Sequence, residues 1–159
     1  MRQITPGAML AVFIMALPIS AVAADTVVTC KDPLGWTNYH HTGVLTKEKS
    51  GFVEDRITAG LTTLVRISQN EYDLFYTDGR QEIISSRHDG AAVKLLRKGK
   101  NDAAFLVVYP NSIEVYTFYK DASGSEKFDA LISRGGDLPI HKSSVMTGDC
   151  SGLDLDLLR

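Results

Sequence analysis

Cysteine is nearly missing from this chain: only Cys30 and Cys150 occur in 159 residues. Two thiols so far apart form neither a Cys-x-x-Cys redox pair nor the clustered ligands of a structural zinc site. Glycine never falls in the Gly-x-Gly-x-x-Gly or Gly-x-x-x-x-Gly-Lys order, so no phosphate cradle or dinucleotide loop is written here. No Gly-x-Ser-x-Gly elbow is present either. Charge of one sign is also scarce. A formal net charge of −2 excludes both a basic nucleic-acid binder and an acidic polyelectrolyte. Long apolar runs are confined to the first residues, and no stretch carries a capped 3.6-residue repeat. Gly90 to Lys98 comes nearest and is too short to stand as a helix.

The N-terminal run has its own logic. MRQITPGAMLAVFIMALPISAVAA places one cation, Arg2, before an apolar stretch from Met9 to Val22 and ends on small residues. This is the pattern of a secretory leader, with cleavage expected near Ala23 or Ala24. The apolar stretch falls short of the roughly 20 residues that span a bilayer. Cys30 lies beyond the cleavage region and follows Val28-Thr29, unlike a lipidation site. The expectation is a signal peptide over residues 1–24, then one β domain over 25–159, periplasmic or secreted from a bacterium. No transmembrane segment is expected in the mature chain.

In an oxidising compartment an isolated cysteine pair reads as one disulfide. Joining Cys30 to Cys150 closes most of the mature chain, worth about 4–5 kcal/mol in the chain-entropy picture. Between them the sequence keeps a regular beat. Turn signals at Gln69-Asn70, Asp78-Gly79, Asp89-Gly90, Lys100-Asn101, Pro110-Asn111, Ser123-Gly124 and Gly135-Gly136 recur every 9 to about 13 residues. The runs between them alternate, as in Leu61, Thr63, Val65, Ile67 and again in Tyr72, Leu74, Tyr76. Period two with β-branched and aromatic residues means strand. The two Asp-Gly pairs predict hairpins. Before residue 60 the rhythm loosens: 36–46 reads as extended, 51–60 as a loop or short edge strand. The tail SGLDLDLLR is either a last strand or a trailing end. The expected fold is mainly β, an antiparallel up-and-down meander of about 8–10 strands closed into a barrel or stacked as a sandwich.

One hairpin stands out. FLVVYPNSIEVYTFY, residues 105–119, is apolar on both faces, with Glu114 the exception. With Pro110-Asn111 as a two-residue loop, Phe105, Val107, Tyr109, Tyr116 and Phe118 share one face; with a three-residue loop the partners exchange. Either way the hairpin belongs near the centre of the sheet, because an apolar edge strand invites aggregation. Its outer face is expected to be roofed by the irregular N-terminal segment, including Trp36 and Tyr39. The sharper alternative makes Trp36, Tyr39, Phe105, Tyr109, Tyr116 and Phe118 the lining of a pocket or a partner surface. Glu114 is expected at the solvent rim or beside a cation, since a lone buried carboxylate is costly.

Catalytic constellations are not apparent. Ser85-Ser86-Arg87-His88-Asp89 contains the letters of a hydrolytic triad, but consecutive residues cannot adopt that geometry, and the stretch reads as a turn. His40 and His41 point to opposite faces of any strand. Asp149, Asp154 and Asp156 lack the order of a calcium loop. No metal or cofactor is implied. A small enzyme would need His40, His41, Glu54 or Asp55 to gather across strands.

The segments GFVEDRITAG, YDLFYTDGR, LVVYPNSIEVYTFYKD and KSSVMTGDC, in this order behind a leader, resemble a group of short exported alpha-proteobacterial proteins without an assigned activity. The architecture is also similar to that of periplasmic inhibitors of C-type lysozyme, small β-barrels that carry a cysteine near each end and a Ser-Gly-x-x-Tyr loop. In this chain the tyrosine position after the three Ser-Gly pairs holds Glu54, Lys127 and Leu155. These readings converge on a non-enzymatic binding module for a protein or a small apolar ligand. A small periplasmic hydrolase and a structural envelope component are the alternatives.

Overall fold

The turn signals whose residues are both described fall between strands. The structure is a computed structural model, and it describes residues 24–78 and 80–158; the expected leader, apart from Ala24, lies outside them. Ten strands follow in order: β1 (Asp25–Tyr39), β2 (Gly51–Arg56), β3 (Leu61–Ser68), β4 (Glu71–Thr77), β5 (Ile83–Ser85), β6 (Ala92–Lys98), β7 (Asp102–Tyr109), β8 (Ser112–Lys120), β9 (Glu126–Arg134) and β10 (Lys142–Ser151). All join one antiparallel sheet in the order β5-β4-β3-β1-β10-β9-β8-β7-β6, with β2 added to β1. It is a meander whose two ends meet through β1 and β10, curled into a half-barrel rather than stacked as a sandwich.

Cys30 and Cys150 are direct partners in the β1–β10 ladder, and their sulfurs are bonded at 1.99 Å. The disulfide therefore ties the first strand to the last. Next to it β1 changes neighbour. Asp25 to Lys31 pair with β3, whereas Leu34 to Tyr39 pair with β2. The switch is a bulge at Asp32-Pro33, where proline has no N–H to give a ladder and Asp32 takes a positive φ of 50°. Asp32 secures the bend: its N–H donates to Gly60 O at 2.9 Å and its Oδ1 accepts from Ala59 N–H at 2.9 Å.

The core fills one end of the half-barrel. Phe105, Phe118 and Phe128 are fully enclosed, and Tyr72 meets Phe105 edge-on at 5.1 Å. The C-terminal tail is neither strand nor loose end. It turns through a short 3₁₀ segment at Leu155–Leu157, and Leu153 and Leu158 plug the core. Asp154 N–H donates to Val27 O, and Glu126 accepts the Leu153 N–H, both at 2.9 Å.

Three expectations need correction. Asp89-Gly90 does not make a hairpin, because β5 and β6 are not paired. The chain instead crosses the seam between them through Ser86, whose N–H donates to Leu74 O and whose carbonyl accepts from Ala91 N–H, both at 2.8 Å. Buried Asp73 shapes that turn, accepting from Ser85 Oγ at 2.6 Å and Arg87 N–H at 3.1 Å. Second, the 105–119 hairpin is not central: β7 lies next to the β6 edge. Curling the sheet brings β6 beside β4, which protects that edge without placing the hairpin in the middle. Third, Trp36 and Tyr39 are no roof. They belong to β1 itself, in the same sheet as the hairpin.

The register settles the faces. Val107 pairs with Glu114 and Phe105 with Tyr116, so Pro110-Asn111 is the two-residue loop. Val107 is 0% exposed and Val108 36%. Val107→Asp should therefore destabilise by several kcal/mol, while Val108→Asp should cost less than about 1 kcal/mol. Equal losses in urea unfolding would contradict this register. Cys150→Ser should lower stability by about 4–5 kcal/mol with an unchanged far-ultraviolet spectrum. An unchanged urea midpoint would show that the bridge does not limit the unfolded chain.

Candidate functional site

The half of the barrel that the aromatic core leaves unfilled is a cavity of about 640 Å³, lined from β3, β4, β7, β8, β9 and β10. Its apolar floor is Phe128, Ala130, Ile132 and Met146. These are inward residues of β9 and β10, with Ala130 and Met146 direct partners. Gly35 completes that row opposite Met146, and a Cβ there would stand 2.0 Å from Val145 O. Glycine is needed because the two backbones approach so closely. The β1 bulge contributes Pro33, and the β2–β3 connection contributes Ile57 and Gly60.

The mouth is polar. Tyr76 donates its hydroxyl to Asp89 at 3.1 Å, Tyr109 to Ser86 Oγ at 2.8 Å and Tyr116 to Glu114 Oε2 at 2.8 Å. Ser112 Oγ donates to the other oxygen of Glu114 at 3.0 Å. Glu114 is thus half-exposed at this mouth, and two hydroxyls rather than a cation satisfy it. Burial, more than any charge, makes all three phenols harder to ionise, and the negative charge of Glu114 adds to the effect. Tyr76 is pushed up to about 12, and Tyr109 and Tyr116 rise as well. Arg134, at the end of β9, opposes the shift at Tyr76. Lys142 also faces the cavity, 3.7 Å from Asp55 Oδ2 and with its ammonium 5.6 Å from the Tyr39 ring centre.

Of the six aromatic residues singled out in the sequence, Tyr109 and Tyr116 line this cavity. Phe105 and Phe118 belong to the packed core beneath it. Tyr39 reaches the rim only through Lys142. Trp36 is on the opposite, convex face. There it begins a cross-strand row, Trp36–Val145–Leu131–Val115–Leu106, running over five strands. Trp36, Val145 and Leu131 are more than half exposed, at 53%, 57% and 54%.

The residues an enzyme would have needed are dispersed. Glu54 is opposite Trp36 in the β1–β2 ladder, whereas Asp55 accepts a 2.8 Å hydrogen bond from Thr37 Oγ1 on the inner face. Thr37 in turn shares a 2.8 Å hydrogen bond with Ser144, so this buried cluster joins β2, β1 and β10. His40 Nε2 lies 3.3 Å from Ser143 Oγ. Among the described residues no three histidine, cysteine or carboxylate side chains are grouped to hold a metal.

Sequence reasoning missed Tyr76, Ile132, Arg134 and Lys142. The alternation Tyr72, Leu74, Tyr76 already put Tyr76 on an inward face, but nothing local indicated that this end of the barrel is left open. The fold and cavity together define a class: a disulfide-closed antiparallel half-barrel with an amphipathic pocket at its mouth. No family model, curated protein or solved structure matches the chain.

The phenols provide a pH test. A free tyrosine ionises near 10.0, so unfolding in strong alkali releases protons that the folded cavity retains. The stability this contributes is complete below pH 10 and falls as the pH rises through about 12. Phenolate absorbance of the native protein should lag that of the urea-unfolded chain across this window. Coincident curves would contradict the enclosed mouth.

Proposed function

We propose that this chain is an exported, non-enzymatic binding protein whose barrel cavity holds a small molecule with an apolar body. The single observation that carries this reading is the cavity itself. At about 640 Å³ it has the size of a small-ligand pocket, with an apolar floor and a few polar groups gathered at the mouth. Ligand sites recur in the mouths of β-barrels. The leader-like N-terminus and the disulfide support export to an oxidising compartment, the periplasm or beyond.

Displacement of the neutral dye N-phenyl-1-naphthylamine by decanol measures this function. Decanol should compete for the dye in the native protein. Ile132→Trp places an indole over the floor and should weaken dye binding by about tenfold or more, through loss of the apolar contact area. Leu131→Lys, next in sequence but on the convex face, should leave binding unchanged. If the dye binds both variants as it binds the native protein, the cavity is not the site. If the convex variant alone loses the dye, the ligand surface is the outer row.

A further inference from the structure

We infer that the cavity takes an amphipathic organic cation, its ammonium group held against Glu114 and its apolar body on Phe128, Ala130, Ile132 and Met146. This rests on the binding reading above and adds the charge of the ligand. Glu114 occupies an inward position on β8, between Val107 and Ile132 in the paired registers. A carboxylate that borders an apolar space is costly unless an opposite charge compensates it. Ser112 and Tyr116 give it hydrogen bonds but no charge, and among the described residues it forms no ion pair. Each of its oxygens still has a free acceptor site.

The surrounding phenols point the same way. The hydroxyl protons of Tyr76, Tyr109 and Tyr116 are directed at Asp89, Ser86 and Glu114. What these residues can still offer an incoming head group is lone pairs and ring faces, which suit a cation and repel a carboxylate or phosphate. Asp78 and Asp89 add negative charge to the same mouth. Two cations oppose them. Lys142 is engaged by Asp55 and Tyr39. Arg134, the in-register partner of Ser112, stands exposed at the outer end of β9, two residue pairs beyond Glu114, and forms no ion pair with it among the described residues. It is the group through which an anion would bind.

Calorimetric titration with three probes of equal chain length, decyltrimethylammonium, decanoate and decanol, separates these possibilities. The ammonium should bind the native protein about tenfold or more tightly than decanoate, a difference of about 1.4 kcal/mol or more. Added salt should weaken the ammonium and not decanol. Glu114→Gln keeps the shape and the acceptor for Tyr116, and should erase the preference for the ammonium over decanoate. The native protein's own preference and salt response need no variant to fold. Equal affinity for all three probes overturns the charge assignment but leaves the cavity reading standing. Tighter decanoate binding, lost in Arg134→Gln, overturns it in favour of an anion. No binding of any probe defeats the cavity reading and this inference with it.

Discussion

The β1–β10 ladder is the contact on which the rest of this structure depends. It joins residues at opposite ends of the domain, and Cys30–Cys150 makes it covalent. Every other strand pair except β1–β3 joins strands that are consecutive in the chain. Local hairpins alone would leave an open, flat meander with both faces wet. Joining the first strand to the last bends the sheet on itself, and only then do Phe105, Phe118 and Phe128 acquire a common interior. The entropic cost of that long-range closure is the largest in the fold, which is where a covalent link contributes most.

Closure is incomplete on the far side, and the protein treats the two edges there with care. Neither β5 nor β6 pairs with the other, yet neither is left as a bare template for another chain. Ser86 bridges the gap with one backbone bond to Leu74 and one to Ala91, and Tyr109 caps its hydroxyl. Asp73, buried, holds the turn by accepting from the Ser85 hydroxyl and the Arg87 N–H. The stretch that carries the letters of a hydrolytic triad is thus a seam. Its serines are spent on structure, one to Asp73 and one to Tyr109.

The barrel's two ends differ because the chain fills only one of them. The tail turns back and inserts Leu153 and Leu158 into the narrow end. At the other, the bulge at Asp32-Pro33 sends β1 from β3 to β2, beside the cavity that Pro33, Ile57 and Gly60 help to line. Its floor continues the apolar core, while its mouth collects the polar residues that end the strands.

Much of this was legible in the chain before folding was considered. Alternation in Tyr72, Leu74, Tyr76, turn pairs such as Lys100-Asn101 and Ser123-Gly124, and two remote cysteines determined an antiparallel, disulfide-closed β domain. These are short-range signals, read from a few residues at a time, and the backbone obeys them locally. The identity of the two apolar faces of 105–119 was not legible. A one-residue change of loop length exchanges them, and only the pairing of Val107 with Glu114 decides. Nor could sequence separate Tyr116, at the cavity, from Phe118, in the core, since both point inward two residues apart. Which end of the barrel is filled depends on where β1 changes neighbours and where the tail docks. Those are long-range events, so the tertiary structure alone determined that the polar residues Glu114, Tyr76 and Arg134 share one mouth.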